Sequence, residues 1–124
     1  MSTHEVGYDP NDGILYIRSA DNASLDDMLR GIDSLMSNSS LPRELRILED
    51  GRGIHVTFPA SDIAVIVERL CCALDEYSFI RHAVIHDDPK NTAFAVLLGL
   101  QVKHEKYTLK VFSTYKAARN WVLC

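Results

Sequence analysis

The side chains best suited to chemistry lie in one short segment, EDGRGIHVTFPASD, which runs from Glu49 to Asp62 between two apolar runs. Within it, Asp50, Arg52, His55 and Ser61 supply a carboxylate, a guanidinium, an imidazole and a hydroxyl. Such groups could catalyse a reaction, switch a regulatory state or bind another protein. Catalysis is the weakest interpretation, because the sequence has no Gly-x-Ser-x-Gly motif and no visible set of nucleophile, base and orienting residue. The segment is therefore predicted to be an interaction and regulatory loop.

Two features of this segment are typical of other kinds of site. Gly51 and Gly53 follow a predicted strand and could cradle a phosphate, because glycine lets backbone N–H groups approach an anion closely. About eight residues, including Pro59, separate these glycines from the next helix, whereas a phosphate loop opens its helix directly, so a turn is favoured. Ser61 is predicted to cap that helix. Phosphorylation of Ser61 is the lesser alternative.

A second group of polar residues lies where two predicted strands end. Glu49 follows one strand, and His86, Asp87 and Asp88 follow another, so the four residues are predicted to form a polar rim. Such carboxylates could bind a divalent cation or act in acid–base chemistry, although helix capping by Asp88 and ordinary solvation explain the same residues and are favoured. His82 and His86 lie about 13 Å apart if they share a strand, too far to bind one metal ion. No metal or cofactor is predicted.

Strand and helix patterns alternate along the rest of the chain. Residues 4–8 and 14–17 flank the turn formers of 10–13, which predicts an antiparallel hairpin. Further strands are predicted over 45–48, 79–86 and 107–111. Helices are predicted over 24–36, with Ser24 before it and Asp27 as a capping-box-like acid, over 61–76, and over 88–100, with Asp88 as its cap and Pro89 at its first position. A final helix is predicted to be capped by Ser113. The alternation predicts a single α/β domain over residues 1–124, with a mostly parallel sheet of about five strands, an amino-terminal antiparallel hairpin strand and about four helices.

Composition narrows the classes of partner. The formal net charge is −4, and lysine and arginine are scattered along the chain, so nucleic acid is not a predicted partner. The sequence shows no signal segment, and its apolar runs are shorter than the roughly 20 residues that cross a bilayer, so no membrane span is predicted. Three cysteines, two of them adjacent, form a poor disulfide framework and favour a reducing compartment. A cytoplasmic protein is predicted.

The third predicted helix is apolar on most of its sides between residues 93 and 100. A helix of this kind must be covered on every side. It is therefore expected to be either the most enclosed helix of the monomer or a surface for self-association or for a partner. The face near Cys72 is a further candidate for such a surface.

The carboxyl-terminal stretch KVFSTYKAARNWVL resembles that of the SpoIIAA-like group of the STAS superfamily. The similar positions are a valine-phenylalanine strand and a short helix in which alanine, tryptophan and valine are spaced as in that group. Here they are Val111, Phe112, Ala118, Trp121 and Val122. The resemblance covers nearly the whole chain. It implies a β-α superhelix and a role in protein–protein regulation without catalysis.

The resemblance also implies where a regulatory switch would lie. Anti-sigma-factor antagonists of this superfamily carry a phosphorylatable serine in an aspartate-serine-glycine context after the third strand. This sequence has Asp50-Gly51-Arg52-Gly53 there and reaches a helix-start serine only at Ser61. The predicted function is a regulatory or protein-interaction domain with a protein partner and possible homodimerisation. The alternative is a small-ligand domain, because related folds hold nucleotides or lipids in apolar clefts.

Overall fold

The computed structural model describes the backbone of residues 2–124 and, apart from positions 2–4 and 20, their side chains. Within these residues, six strands form one sheet: β1 (Ser2–Asp9), β2 (Ile14–Ala23), β3 (Glu44–Asp50), β4 (Ile54–Val56), β5 (Phe79–Ile85) and β6 (Tyr107–Phe112). The sheet order is β1-β2-β3-β5-β6, with β4 paired to β2. Only β1 and β2 pair antiparallel. The predicted mostly parallel sheet with an antiparallel hairpin is confirmed.

The described residues contain four α-helices: α1 (Leu25–Ser37), α2 (Ile63–Ala73) and α3 (Pro89–Gln101) connect strands, and α4 (Tyr115–Leu123) follows β6. The Ser24 hydroxyl accepts a hydrogen bond from the Asp27 backbone amide, and the Ser24 backbone amide donates one to the Asp27 carboxylate, which confirms the predicted capping box. Asp88 caps α3 and Pro89 opens it, also as predicted.

Two predicted caps are wrong. Thr114 caps α4 in place of Ser113, because its hydroxyl accepts a hydrogen bond from the Ala117 amide at 3.2 Å. Ser61 lies inside a short 3-10 turn, Ala60–Asp62, which precedes α2 and has no side-chain cap. Ser61 is exposed there. The structure therefore gives Ser61 no capping role.

The two faces of the sheet are covered differently. On one face, called the three-helix face, α1, α2 and α3 pack over apolar residues of the strands, among them Leu15, Leu45, Ile47 and Ile80. On the opposite face, called the α4 face, α4 alone packs on the sheet. Successive strand residues point to opposite faces, so β2, β3 and β5 supply buried residues to both cores. The α4-face core consists of Ile14, Leu48, Ala83, Ile85, Ala118 and Val122.

Strand β2 changes partner along its length, and this places β4 beside α1. Residues 14–18 of β2 pair with β3, whereas Asp21, Asn22 and Ala23 pair with β4. Asp21 has a φ of 60°, an uncommon backbone conformation for a non-glycine residue, close to this change of partner. The segment predicted to be a loop between Glu49 and Asp62 therefore contains a short strand, because β2 extends far enough to pair with it.

Helix α3 is not the most enclosed helix, and that expectation is wrong. Its buried residues are Asn91, Ala95 and Leu98, whereas Val96, Leu97 and Leu100 are exposed, Leu100 by 68%. Cys72 on α2 is exposed as well. None of the helices in the described part of the chain is both long and apolar enough to cross a membrane.

Candidate functional site

A cavity of about 420 Å³ lies between α1 and the three-helix face of the sheet. Its walls are mainly apolar, and α1, α2, α3 and all six described strands contribute to them. Ligand pockets usually measure about 300–1,000 Å³ and combine apolar walls with a few polar groups. The size and lining of this cavity are therefore those of a small-molecule site. Representative wall residues are Ile17, Met28, Ile47, Ile66, Ile80 and Leu98.

Three connected polar residues, Glu49, His82 and Tyr107, interrupt this apolar wall and are called the polar cluster. The Tyr107 hydroxyl lies 2.7 Å from Nδ1 of His82, and Oε1 of Glu49 lies 2.8 Å from Nε2. The side chains of His82 and Glu49 are only 14% and 18% exposed, and Tyr107 is buried. The cluster is thus an ordered polar group set into an apolar cavity.

The chemistry of the three side chains fixes the direction of both hydrogen bonds when His82 is neutral. An ionised carboxylate only accepts hydrogen bonds, so Nε2 of His82 carries the hydrogen and donates to Glu49. Nδ1 is then the acceptor, and the Tyr107 hydroxyl donates to it. Burial, and then the charge of Glu49, raise the pKa of Tyr107 well above its usual value. Tyr107 therefore keeps the proton that it donates.

The parallel register brings the polar cluster together. Glu49, His82 and Tyr107 lie on the neighbouring strands β3, β5 and β6, where Ile47 pairs with His82 and Ile80 pairs with Tyr107. Because side chains alternate along a strand, His82 shares the three-helix face with Ile80 and Glu49 shares it with Ile47. No function was predicted for His82 or Tyr107 from the sequence. The available signal was a histidine at an inward position of a largely apolar strand.

A smaller pocket of about 60 Å³ adjoins the cavity and extends it toward His86. Met28, Glu49, Ile54, His82 and Leu98 line both spaces. These shared residues make the two spaces one continuous region beneath α1 and α3.

His86 closes the far end of this region against Gly51. A Cβ atom added to Gly51 would lie 2.6 Å from Cε1 of His86, so only glycine fits there without displacing the imidazole. Nδ1 of His86 is buried and has no hydrogen-bond partner among the described residues. Burial lowers the pKa of His86 below its usual value. His86 therefore packs against Gly51 with a buried ring nitrogen that has no hydrogen-bond partner among the described residues.

The residues predicted for the interaction loop are only partly grouped. Arg52 forms a two-pronged ion pair with Asp50, at 2.9 Å from Nε and 2.8 Å from Nη2, and Arg18 approaches the same carboxylate at 3.3 Å. The hydrogen bonds from Arg52 hold the pKa of Asp50 below its usual value. His55 on β4 and Ser61 in the 3-10 turn are exposed, and neither is bonded to Asp50 or Arg52 among the described residues.

The predicted polar rim is divided between different environments. Glu49 turns into the cavity and His86 lies at the smaller pocket, whereas Asp87 is exposed. Asp88 accepts hydrogen bonds from the amides of Lys90, at 2.7 Å, and Asn91, at 3.2 Å, and so acts as a helix cap. Within residues 2–124, no group of three or more histidine, cysteine, aspartate or glutamate side chains is arranged to hold a metal ion.

No protein-family model matches the chain, and no curated protein matches it. Among solved structures, the chain is similar to an uncharacterized protein of the DUF3478 family with a SpoIIAA-like fold from Shewanella loihica PV-4. The two chains are 16% identical, the match covers 99% of this chain and 94% of the other, and the TM-score is 0.62. The chain therefore has a SpoIIAA-like fold, as its carboxyl-terminal resemblance predicted.

Proposed function

We propose that this protein is a non-enzymatic regulatory domain of the STAS type, which binds an apolar small molecule in the cavity and presents the segment from Glu49 to Asp62 to a protein partner. The observation that supports this proposal is that one segment both lines the cavity and reaches the protein surface. Glu49 and Ile54 line the cavity, while Arg52 and His55 of the same segment are exposed. A ligand that contacts the inner residues can therefore alter the surface that the outer residues form.

The lining favours an apolar ligand over a nucleotide. A nucleotide needs cations or free backbone amides for its phosphates. Among the described lining residues the arginine is Arg30, and its guanidinium is already paired with Asp27 at 2.6 Å. The lipid-like part of the small-ligand alternative is therefore the part that we retain.

The polar cluster supports binding better than catalysis. A general acid or base works best when its pKa lies near the working pH, and the pKa of Tyr107 is raised well above 10 by burial. The Ser34 hydroxyl at the cavity donates its hydrogen to the Arg30 carbonyl at 3.0 Å. The Tyr107 and Ser34 hydroxyls can therefore orient a ligand, and neither of them is an activated nucleophile.

Filling the cavity tests the ligand-binding half of the proposal. Gly31 lies on α1 at the cavity wall, and a Cβ atom added there meets nothing within 4 Å. We expect the variant Gly31→Leu to fold and to bind the neutral apolar dye N-phenyl-1-naphthylamine at least about tenfold more weakly than the unaltered protein. The control Ser37→Leu adds the same side chain at an exposed position of α1 and should bind normally. Unchanged binding by Gly31→Leu would remove the cavity from the proposal.

Hydrogen exchange tests the connection between the cavity and the segment. Saturation with the dye should slow amide exchange in residues 49–58, because Glu49 and Ile54 gain contacts, and should leave α4 unchanged. The same slowing in α4 would indicate general stabilisation by mass action and not a local response. No slowing in 49–58 would separate ligand binding from regulation.

Partner capture tests the interaction surface. The variants Arg52→Ala and Ser61→Ala should fold normally and retain less of a specific partner in affinity capture from the native lysate, measured by mass spectrometry. Arg69→Ala is the matched control, because Arg69 is also exposed and paired with an aspartate, Asp33, on a different surface. Equal recovery by Arg52→Ala and Arg69→Ala would remove the segment from the account.

A further inference from the structure

The described residues that line the cavity are exposed at one end of it. Val6 on β1 is 56% exposed, and Arg30 and Ser34 on α1 are exposed as well. Asp27, Arg30 and Ser34 are spaced three and four residues apart, so they share one side of α1. Since Val6 and this side of α1 both line the cavity and meet solvent, the cavity opens between them. This opening is called the slot.

The opposite end of the cavity is closed. Leu70 of α2, Ile80 of β5, Leu98 of α3 and Tyr107 of β6 line that end and are only 1% to 7% exposed. The strand order β1-β2-β3-β5-β6 places it far across the sheet from the slot. The Tyr107 hydroxyl and both ring nitrogens of His82 already have partners within the protein, whichever nitrogen carries the hydrogen. The closed end therefore requires no polar group from a ligand.

We infer that the ligand of this cavity is a single-chain amphiphile, which enters tail first through the slot and keeps its polar head group there, in contact with water. This inference rests on the proposed function, because it names the ligand class of the same cavity and the orientation of the ligand. The alkyl chain lies between α1 and the sheet and reaches the closed end. The head group stays beside Arg30 and Ser34.

The volume of the cavity sets the length of the chain. A volume of about 420 Å³ equals about 14 water-sized volumes of roughly 30 Å³ each. Because a methylene group is about as large as a water molecule, a chain of about ten to twelve carbons fills this space. A head group as large as a sugar does not fit beside such a chain and must lie outside the slot.

Desolvation opposes the reverse orientation. A head group at the closed end would give up its hydrogen bonds to water and would meet mainly apolar walls, which is unfavourable for every polar group that is left without a partner. The end of the alkyl chain would then lie at the slot, where contact with water removes part of the stabilisation that burial gives. Tail-first binding avoids both losses.

A series of ten-carbon ligands tests this orientation. Displacement of N-phenyl-1-naphthylamine is measured with decanol, decyl maltoside and decane-1,10-diol, each below the concentration at which it forms micelles. Decyl maltoside should bind within about fivefold of decanol, because the same chain is buried and the sugar stays in water. The diol should bind at least about tenfold more weakly than decanol, because its second hydroxyl must enter the closed end. A result outside either limit would overturn the inference.

A nitroxide in the head group locates that group directly. With 4-decanoylamino-TEMPO bound, the amide resonances of Arg30 and Ser34 should be broadened much more than those of Leu98 and Tyr107. The same complex after reduction of the nitroxide by ascorbate supplies the reference spectrum. Broadening at Leu98 and Tyr107 that equals or exceeds the broadening at Arg30 and Ser34 would overturn the inference.

A larger side chain at the slot tests the entrance. Val6→Trp narrows the slot and should slow association of the dye at least about threefold in stopped-flow measurements. Tyr8→Trp is the matched control, because Tyr8 is also an exposed residue on the same face of β1 but is not among the described lining residues. It should leave the association rate unchanged. Equal rates for the two variants would overturn the slot as the entrance.

Failure of this inference is distinguishable from failure of the proposed function. If the dye, decanol and decyl maltoside all fail to bind, the cavity is not a ligand site and the proposed function fails with it. If the dye and decanol bind but decyl maltoside does not, the cavity binds apolar molecules, and only the amphiphile and its orientation are wrong.

Discussion

The two faces of the sheet carry the same strands but differ in how closely their side chains are packed. On the α4 face, Ile14, Ile85, Ala118 and Val122 are all 0% exposed. On the three-helix face, the inward side chains of the same strands surround a cavity of about 420 Å³. One side of the sheet therefore fixes the strands in register, and this leaves the other side room for a ligand. The closely packed α4-face core and the cavity are thus separated by a single layer of backbone.

Cationic side chains strengthen the packed face. Arg46 and Arg81 reach from the sheet to the carboxyl end of α4, where they donate hydrogen bonds to the carbonyls of Val122 and Trp121. Positive charge is favourable at that end of a helix. The guanidinium of Arg81 also stacks over the Trp121 ring at 3.8 Å. Helix α1, which borders the cavity, is held by different contacts: the Tyr77 hydroxyl donates a hydrogen bond to the Leu35 carbonyl, and Arg69 of α2 pairs with Asp33.

The largest expected effect compares one isoleucine on each face. Ile85→Ala, on the α4 face, should lower the free energy of unfolding by about 4 kcal/mol, whereas Ile47→Ala, at the cavity wall, should lower it by about 2 kcal/mol. Both side chains are buried, at 0% and 2% exposure, but Ile47 lines the cavity and Ile85 does not. Urea unfolding without added ligand measures both values. Equal losses would mean that the cavity is filled or collapsed in solution.

The next effect concerns the arginines. Arg81→Met keeps most of the side-chain stem but removes the stacked charge and the hydrogen bond to Trp121, and it should cost about 2 kcal/mol. Arg30→Met removes only an exposed pair with Asp27 and should cost less than about 0.5 kcal/mol. Thermal and urea unfolding of the two variants provide the comparison. A similar cost for both would contradict the stronger anchoring of α4.

The local parts of this fold could be predicted from sequence, because their signals lie within a few residues of one another. Ser24 with Asp27, and Asp88 before Pro89, identified two helix starts. The position of the cap of α4 was missed by one residue, since Ser113 and Thr114 are chemically equivalent candidates. Strand β4 was missed because its three residues form a strand only through the far end of β2.

The site could be predicted only in part, because it depends on register and on the separation of layers. Glu49 was selected as a rim acid, but its bond to His82 spans 33 residues and could not be deduced from spacing. His82 was considered only as half of a metal pair with His86, so its place in the polar cluster was not predicted. No local pattern indicates how far α1 stands from the sheet, and that distance creates the cavity.

A smaller change in the free energy of unfolding, of opposite sign, is expected when a side chain is added at the cavity wall. Gly31→Leu should raise the free energy of unfolding by about 1 kcal/mol, because leucine is the better helix former and its side chain enters the cavity. Ser37→Leu, at an exposed position, should change it by only a few tenths of a kcal/mol. Urea unfolding measures both changes. A destabilised Gly31→Leu protein would indicate that α1 packs more closely on the sheet than the cavity allows.

The smallest expected effect is a pH dependence of the free energy of unfolding that arises on the three-helix side of the sheet. His86 lies at the smaller pocket on the three-helix side, and burial lowers its pKa, although Glu49 and Asp87 act in the opposite direction. The unfolded chain therefore binds a proton near the usual histidine pKa of about 6.5, where the folded chain does not. The free energy of unfolding should fall as the pH drops through that value. The arginines that anchor the α4 face remain charged throughout this range.

Removing this histidine should flatten the pH dependence. Between pH 7 and pH 5 the contribution of His86 should be less than about 1 kcal/mol, because the imidazole is only partly buried. His86→Gln should abolish that contribution, whereas His55→Gln, which alters an exposed histidine on β4, should leave the slope unchanged. Urea unfolding at the two pH values measures the slopes. If His86→Gln keeps the slope of the unaltered protein, the acid sensitivity arises elsewhere, and the imidazole against Gly51 does not distinguish the three-helix face from the α4 face.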